Sequence, residues 1–382
     1  MPVDFLTQEQ ERRYGRFAGE PTPVQLGQSF YLDDHDRALV AERRGDHNRL
    51  GYSLQLTTVR YLGTFLADPI AVPPGVITHV AAQLGIADTS CLLSYGTREP
   101  THREHAGEIQ RRYGYRDFVD PGEHFRLVRW LYARAWVTAE RPSLLFDLAT
   151  AHLVERKVLL PGVTVLARLV ARVRDRVAER LWQTLARAPT PEQRAGLERL
   201  VIALPDARQT PLDRLRHGPT RANAGALVGA LTRLQEIRAL DVGALDLVRV
   251  PPSRLAALAR HAATSWAATV ARMAPERRVA TLLAFARVYE ARAQDDALDI
   301  LDNMIAALLA RVEREGDRAR LRSLRDLDVA ALILRDACRI LRDPAVANAA
   351  VRDAVDRALG ARDIDAAIDA VGALTRPPDD HY

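Results

Sequence analysis

The chain has 382 residues, 48% of them apolar, with a formal charge of +5 and a pI near 9.4. That length suggests two or three domains with genuine cores, and the ordinary share of Gly and Pro excludes a low-complexity chain. The basic excess is compatible with nucleic acid without demanding it; Cys91 and Cys338 form no CxxC pattern that would indicate a disulfide framework or a zinc site, and no apolar run reaches the roughly 18 residues of a membrane span.

Helical periodicity dominates, and strand alternation and Asn-Gly hairpin signals are nearly absent, so the expected fold class is all-α. A first unit, residues 1–70, should hold a short helix near Thr7–Phe17, another near Asp33–Arg44 and a long one from Asp46. In the long helix Leu50, Leu54, Leu56, Val59, Leu62 and Leu66 recur at helical spacing, which predicts an apolar stripe on an amphipathic helix. Asp46 reads as its N-cap, placing Asn48 and Arg49 in the first turn behind Arg43 and Arg44. This knot of basic and amide side chains is one candidate nucleic-acid contact; a solvated helix end is the alternative.

The Pro-rich AVPPG at 71–75 reads as a separator opening a second unit, residues 71–188. Its segment Ile77–Tyr95 has the small-residue, turn-glycine and apolar pattern of a helix-turn-helix around Gly85, although the outer face of its second helix is not basic. Thr101 with Glu104 three residues on reads as a capping box that starts the next helix. Arg98, Thr101, His102, Arg103 and His105 crowd that start, where free N–H groups favour phosphate, and Arg111 and Arg112 follow two to three turns on. His102, Glu104 and His105 have no third ligand nearby and no HExxH pattern, so no metal is expected there.

Further helices are expected at 121–138, 142–158 and Val163–Ala186. The last carries an apolar stripe of Leu166, Leu169, Val170, Val173, Val177 and Leu181 and a row of Arg168, Arg172 and Arg176, which suits either a phosphate track or a salt-bridge row. Joints are expected at 188–193 and 205–220. Beyond them lies an Ala- and Leu-rich helical scaffold (189–382) with joints near Pro251–Pro252, Pro275, Gly316, Pro344 and Gly360. Asp295, Asp296, Asp299 and Asp302 read as a solvated helix face opposite Leu298, Ile300, Leu301 and Ile305, not as a two-metal centre. No phosphate-binding loop, nucleophile elbow or paired metal motif is present, so the residues themselves give no case for an enzyme.

The wording of the chain adds to this. RRGDHNRLG at 43–51, followed by QL and RY, resembles the N-terminal signature of the replicative transposases of the Tn3 family. The opening MPVDFLTQEQERRYG is similar to the start of that family. VAAQLGI, THREH, the stretch RPSLLFDLATAHLVERKVLLPGVTVLARL, then LDRLRHGPTRANAGALVGALTRLQEIRALDV and LLAFARVYEARAQDDALDILDNMI continue the likeness in order along the chain. The resemblance implies helical modules that bind the terminal inverted repeats of a transposon, in a bacterial, cytoplasmic and nucleoid-associated protein that self-associates at full length. It also implies a D-D-E catalytic domain using magnesium that has no counterpart here, so strand cleavage and a metal cofactor are not expected of this chain. The expected DNA contacts are Arg43, Arg44, Asn48 and Arg49 in the first unit and Arg98, Thr101, His102, Arg103, Arg111 and Arg112 in the second. Two alternatives stay open: a helical oligomerisation module, and a truncated transposase competing at the transposon ends.

Overall fold

The computed structural model describes residues 5–97, 99–203 and 209–372. About 73% of the chain is helical, and no strand occurs among the described residues apart from one isolated bridge, Arg116 with Val158. Two compact units are formed, one by 1–217 with 234–292 and the other by 218–233 with 293–382.

The first unit opens with α1 (Gln8–Arg13), α2 (Pro23–Ser29) and α3 (Asp34–Ala41), each started by a reciprocal capping box, from Thr7, Thr22 and Asp33 respectively. The organising element is α4 (Asp46–Leu62), against which α5 (Pro74–Leu84), α6 (Leu92–Gly96) and α7 (Glu99–Tyr113) all pack. The expected stripe is present, with Leu50, Leu54, Leu56 and Val59 fully buried. Yet α4 is not amphipathic: Tyr52, Ser53, Gln55, Thr57 and Thr58 are buried too, because helices cover it on every side. Two of its polar side chains are satisfied within the helix, Ser53 Oγ donating to the Arg49 carbonyl (2.9 Å) and Thr57 Oγ1 to that of Ser53 (2.8 Å). Gly51 makes the α4–α6 crossing possible, since a Cβ there would lie 2.3 Å from the Tyr95 ring.

One apolar cluster runs from Phe30 to Tyr115, so AVPPG is no boundary. Pro74 instead starts α5, whose Val76, Val80 and Ala81 join the same core as α4. The change of core falls between Tyr115 and Phe118. Beyond it α8 (Pro121–Val137), α9 (Pro142–Glu155) and α10 (Val163–Ala186) pack on one another around Leu127, Leu131, Phe146, Leu153, Leu166 and Val170. The whole predicted α10 stripe is buried. The start of the chain docks on this second core, where Tyr14 donates its hydroxyl to the Pro161 carbonyl (3.0 Å) and packs against Phe146.

Short helices follow: α11 (Pro191–Arg199), α12 (Pro211–Leu215), α13 (Ala224–Arg238), α14 (Pro252–Thr264) and α15 (Ala267–Ala271). The joint expected at 188–193 lies between α10 and α11; of the one at 205–220, residues 205–208 lie outside the described residues. The 67-residue α16 (Pro275–Leu341) starts at the expected proline but runs unbroken through Gly316, where a joint was expected; one exposed glycine costs a long helix only about 1 kcal/mol. In the second unit Ala230 of α13 packs with Ala297 and Ile300 of α16, and α17 (Val351–Leu359) and α18 (Ala361–Gly372) form a hairpin about Gly360.

Candidate nucleic-acid interface

The RRGDHNRLG segment forms the turn into α4. Gly45, at φ +81°, is the N-cap in place of the expected Asp46, which becomes the first helical residue; a side chain would be strained at that φ. Asn48 and Arg49 remain in the first turn. The helix expected from Thr101 starts earlier, at Glu99, so Thr101 lies inside the first turn and does not cap it. Arg98, expected among the contacts, lies outside the described residues.

The two predicted clusters belong to one core, but not as two helix starts side by side. α7 runs antiparallel to α4. Its beginning meets the middle of α4, where Gln55 Nε2 donates to the His102 carbonyl (3.2 Å), and its end meets the start of α4, where Arg43 Nη2 pairs with Glu108 (2.7 Å). Arg112 closes the box, reaching Glu108 (3.0 Å) and Glu42 (3.5 Å), while Arg43 also reaches Glu42 (3.3 Å). Two guanidiniums and two carboxylates leave this box formally neutral.

Arg43 is therefore a structural residue: its side chain is only 17% exposed and its guanidinium lies over the Tyr52 ring, 4.7 Å from the centroid. His102 also turns inward, its Nε2 against the Tyr95 carbonyl and its ring tilted against that of Tyr95. Both expectations of outward contact are corrected for the same reason: the α4–α7 packing uses these groups. Thr101 is half-buried, and Asn48 donates its amide to the Arg44 carbonyl (2.9 Å), which withdraws one donor from the bidentate pairing with adenine expected of it. Arg49 is half-buried beside Asp46 (3.3 Å), and Arg103 is exposed and paired with Glu99.

Arg44 and Arg111 are different. Both are exposed, and neither has an ion-pair or hydrogen-bond partner for its side chain among the described residues. They flank the neutral box, Arg44 beside Arg43 and Arg111 beside Arg112, so that two uncompensated charges sit at this corner. Five buried side-chain atoms between 43 and 52 also lack partners: Arg43 Nε, His47 Nε2, Asn48 Oδ1, Arg49 Nε and the Tyr52 hydroxyl.

Behind the corner lies a buried relay that the sequence did not reveal. Gln55 Nε2 donates to the Tyr95 hydroxyl (2.7 Å), which is also hydrogen-bonded to His105 Nδ1 (3.0 Å). Burial of His105, reinforced by the charge of Arg43, pushes its pKa down to about 4. Among the described residues no three His, Cys, Asp or Glu side chains are grouped so as to hold a metal ion.

The Ile77–Tyr95 segment does fold as two helical pieces bent by 109°, joined at Gly85 in the left-handed conformation. Its second piece is short, buries Leu92 and Tyr95 against α4, and shows Ser90, Leu93 and Ser94 outward, with no basic side chain. In the second unit, Asp296 pairs with Arg233, while Asp295, Asp299 and Asp302 lie exposed along α16. No single helix among the described residues is long and apolar enough to cross a membrane.

Residues 5–173 match the family described as "Domain of unknown function (DUF4158)". The chain is 42% identical, over all 382 of its residues, to the transposase for transposon gamma-delta of Escherichia coli K12, of which it covers 38%. It is 29% identical over 280 residues to the transposase for transposon Tn21 of Escherichia coli, and 29% over 286 residues to that of transposon Tn501 of Pseudomonas aeruginosa. These alignments cover 73% and 74% of this chain and 28% of each relative. The chain spans about 38% or less of the length of these relatives, and its homology, full-length only against the gamma-delta protein among the three, is to the N-terminal part of Tn3-family transposases.

Proposed function

We propose that this chain binds duplex DNA at the terminal inverted repeats of a transposon, as the end-recognising part of a Tn3-family transposase. The observation that carries the proposal is the corner where α4 begins and α7 ends. There the unpaired guanidiniums of Arg44 and Arg111 stand exposed beside half-buried Asn48 and Arg49, in a chain similar to transposases along its whole length. Arg112 adds to this surface from within its ion pairs with Glu108 and Glu42, while Arg103 stands exposed nearer the start of α7 in a surface pair with Glu99 that can be exchanged for phosphate at little cost. Arg43 and His102 act behind this surface by fixing α7 to α4. Affinity and register come from phosphate contacts, and sequence choice from the few side chains that reach base edges. No strand-cleaving step is assigned to this chain: its acidic run on α16 is spread along a helix face, and one member is neutralised by Arg233.

Arg44→Ala with Arg111→Ala is expected to weaken binding of a duplex oligonucleotide by about tenfold or more, as each charge-assisted contact contributes on the order of 1 kcal/mol. The log–log salt slope should fall by about 1.8, since each phosphate contact supplies about 0.9. Circular dichroism should not change, because both side chains are exposed and unpaired. An anisotropy titration with an unaltered slope would reject these two contacts.

A second reading is favoured by one observation in the second unit. Leu298, Leu301, Ile305, Leu308 and Val312 follow one another on α16 at steps of three and four, and all are exposed. That is the spacing of a helix-pairing seam, and it suits a helical interaction module. The two readings concern different parts of the chain and are compatible.

A further inference from the structure

By its spacing the row Arg168, Arg172, Arg176 on α10 suits a phosphate track or a salt-bridge row. The salt-bridge row does not form. Arg168, Arg172, Arg176 and the next in the series, Arg180, are all exposed, and their guanidiniums have no partner among the described residues. This holds even though Asp175 and Glu179 stand three residues beyond Arg172 and Arg176, at a spacing that would permit pairing. The opposite side of α10 is locked in place: Leu166, Leu169, Val170, Val173, Val177, Leu181 and Leu185 are buried, and the helix packs on α8 and α9. The four arginines are thus carried by a rigid rod and point away from the core.

We infer that this face of α10 is a second contact surface for the sugar–phosphate backbone of duplex DNA, separate from the α4–α7 corner. The inference rests on the reading of the chain as a duplex-binding protein. The charge is complementary, and the spacing fits. Residues four apart on a helix advance about 6 Å, so the row presents a guanidinium at each such step along a straight line, a regular series of cations facing a regular series of phosphates. Arginine suits this role because its fork of donors matches a phosphate. Asp175 and Glu179 on the same face temper the attraction, so the surface gives register and affinity without choosing a sequence.

The test is fluorescence anisotropy of the full chain with a labelled duplex of 40 base pairs over a salt series. Arg168→Gln, Arg172→Gln and Arg176→Gln together should lower the log–log salt slope by about 2.7 and weaken binding by about tenfold or more. Asp175→Asn with Glu179→Gln should tighten binding several-fold. Arg318→Gln, Arg322→Gln and Arg325→Gln on α16 remove the same formal charge elsewhere and should leave the slope unchanged. The proposal is overturned if the α10 triple variant, with its helicity intact, keeps the wild-type slope, or if the α16 variant loses as much. Should the triple variant fail to fold, the two carboxylate substitutions still decide: unchanged or weaker binding counts against the surface. A wild-type chain that binds no duplex defeats the parent reading instead, and is told apart because no slope is then measurable.

Discussion

Replacing Asp36 by alanine is expected to destabilise the α3–α4–α7 packing by about 3 kcal/mol, close to the lower end for breaking a buried ion pair. Asp36 has no exposed surface. Its carboxylate accepts from both sides: Arg60 Nη2 lies at 2.9 and 3.1 Å, the Tyr113 hydroxyl at 2.6 Å, and the backbone N–H of Asp33 at 3.2 Å. One side chain therefore completes the cap of α3, holds the fourth turn of α4 and ties down the last turn of α7. The alanine variant strands a guanidinium that is 30% exposed and a phenol that burial and the neighbouring carboxylate have made an even weaker acid. Asp36→Asn, which keeps an acceptor for Tyr113, should cost less. The four tryptophans, at 130, 136, 182 and 266, all lie outside this core, so fluorescence is blind to the effect. Hydrogen exchange of the α4 amides is the appropriate readout. Protection within a few-fold of wild type in the alanine variant would show that the carboxylate is not what joins these helices.

Acid is expected to open the same core, with His105 as a principal cause. Its folded pKa, about 4, lies below the ordinary 6.5, so between these values the unfolded chain binds the proton and the folded chain does not. Stability from this group is complete above pH 6.5 and declines as the pH falls toward 4, by about 3 kcal/mol over the window at 1.36 kcal/mol per unit. Charged neighbours pull both ways, Arg43 and His102 against protonation and Glu108 in favour of it. His105→Gln removes the titration, so its stability should fall less steeply than that of wild type between pH 6.5 and 4. Parallel profiles, measured by α4 exchange in both proteins, would mean that other groups control the acid response.

How much of this could be read beforehand differs from element to element. The α10 stripe was legible because that helix has one buried face and one wet face, which is what a 3.6-residue period records. α4 was legible as a helix but not as a fully buried one. Ser53, Gln55, Thr57 and Thr58 look like a solvated face until α5, α6 and α7 are seen to cover them. α2 was missed although Thr22, Pro23 and Gln25 spell a helix start, because its seven residues are too few to show a period. Two prolines at 73–74 looked like a domain joint and proved to be the first turn of a core helix. At the site, residue types and helix-end locations could be read, but not which arginines were free. Arg43 and Glu108 are 65 positions apart in sequence, and only the antiparallel packing of α4 on α7 brings them together. That single contact converts Arg43 from a DNA ligand into a brace and leaves Arg44, its neighbour, as the exposed cation.

On the proposed function, the exposed arginines serve a protein that reads particular DNA ends. The most direct measurement is a binding selection by the wild-type chain from a pool of random-sequence duplexes at about 0.15 M salt, where non-specific binding is already weak. Enrichment of one sequence, present as an inverted pair at the two ends of a transposon, is the predicted result. A pool that remains random after repeated rounds, whether the chain binds every duplex alike or none at all, would contradict it.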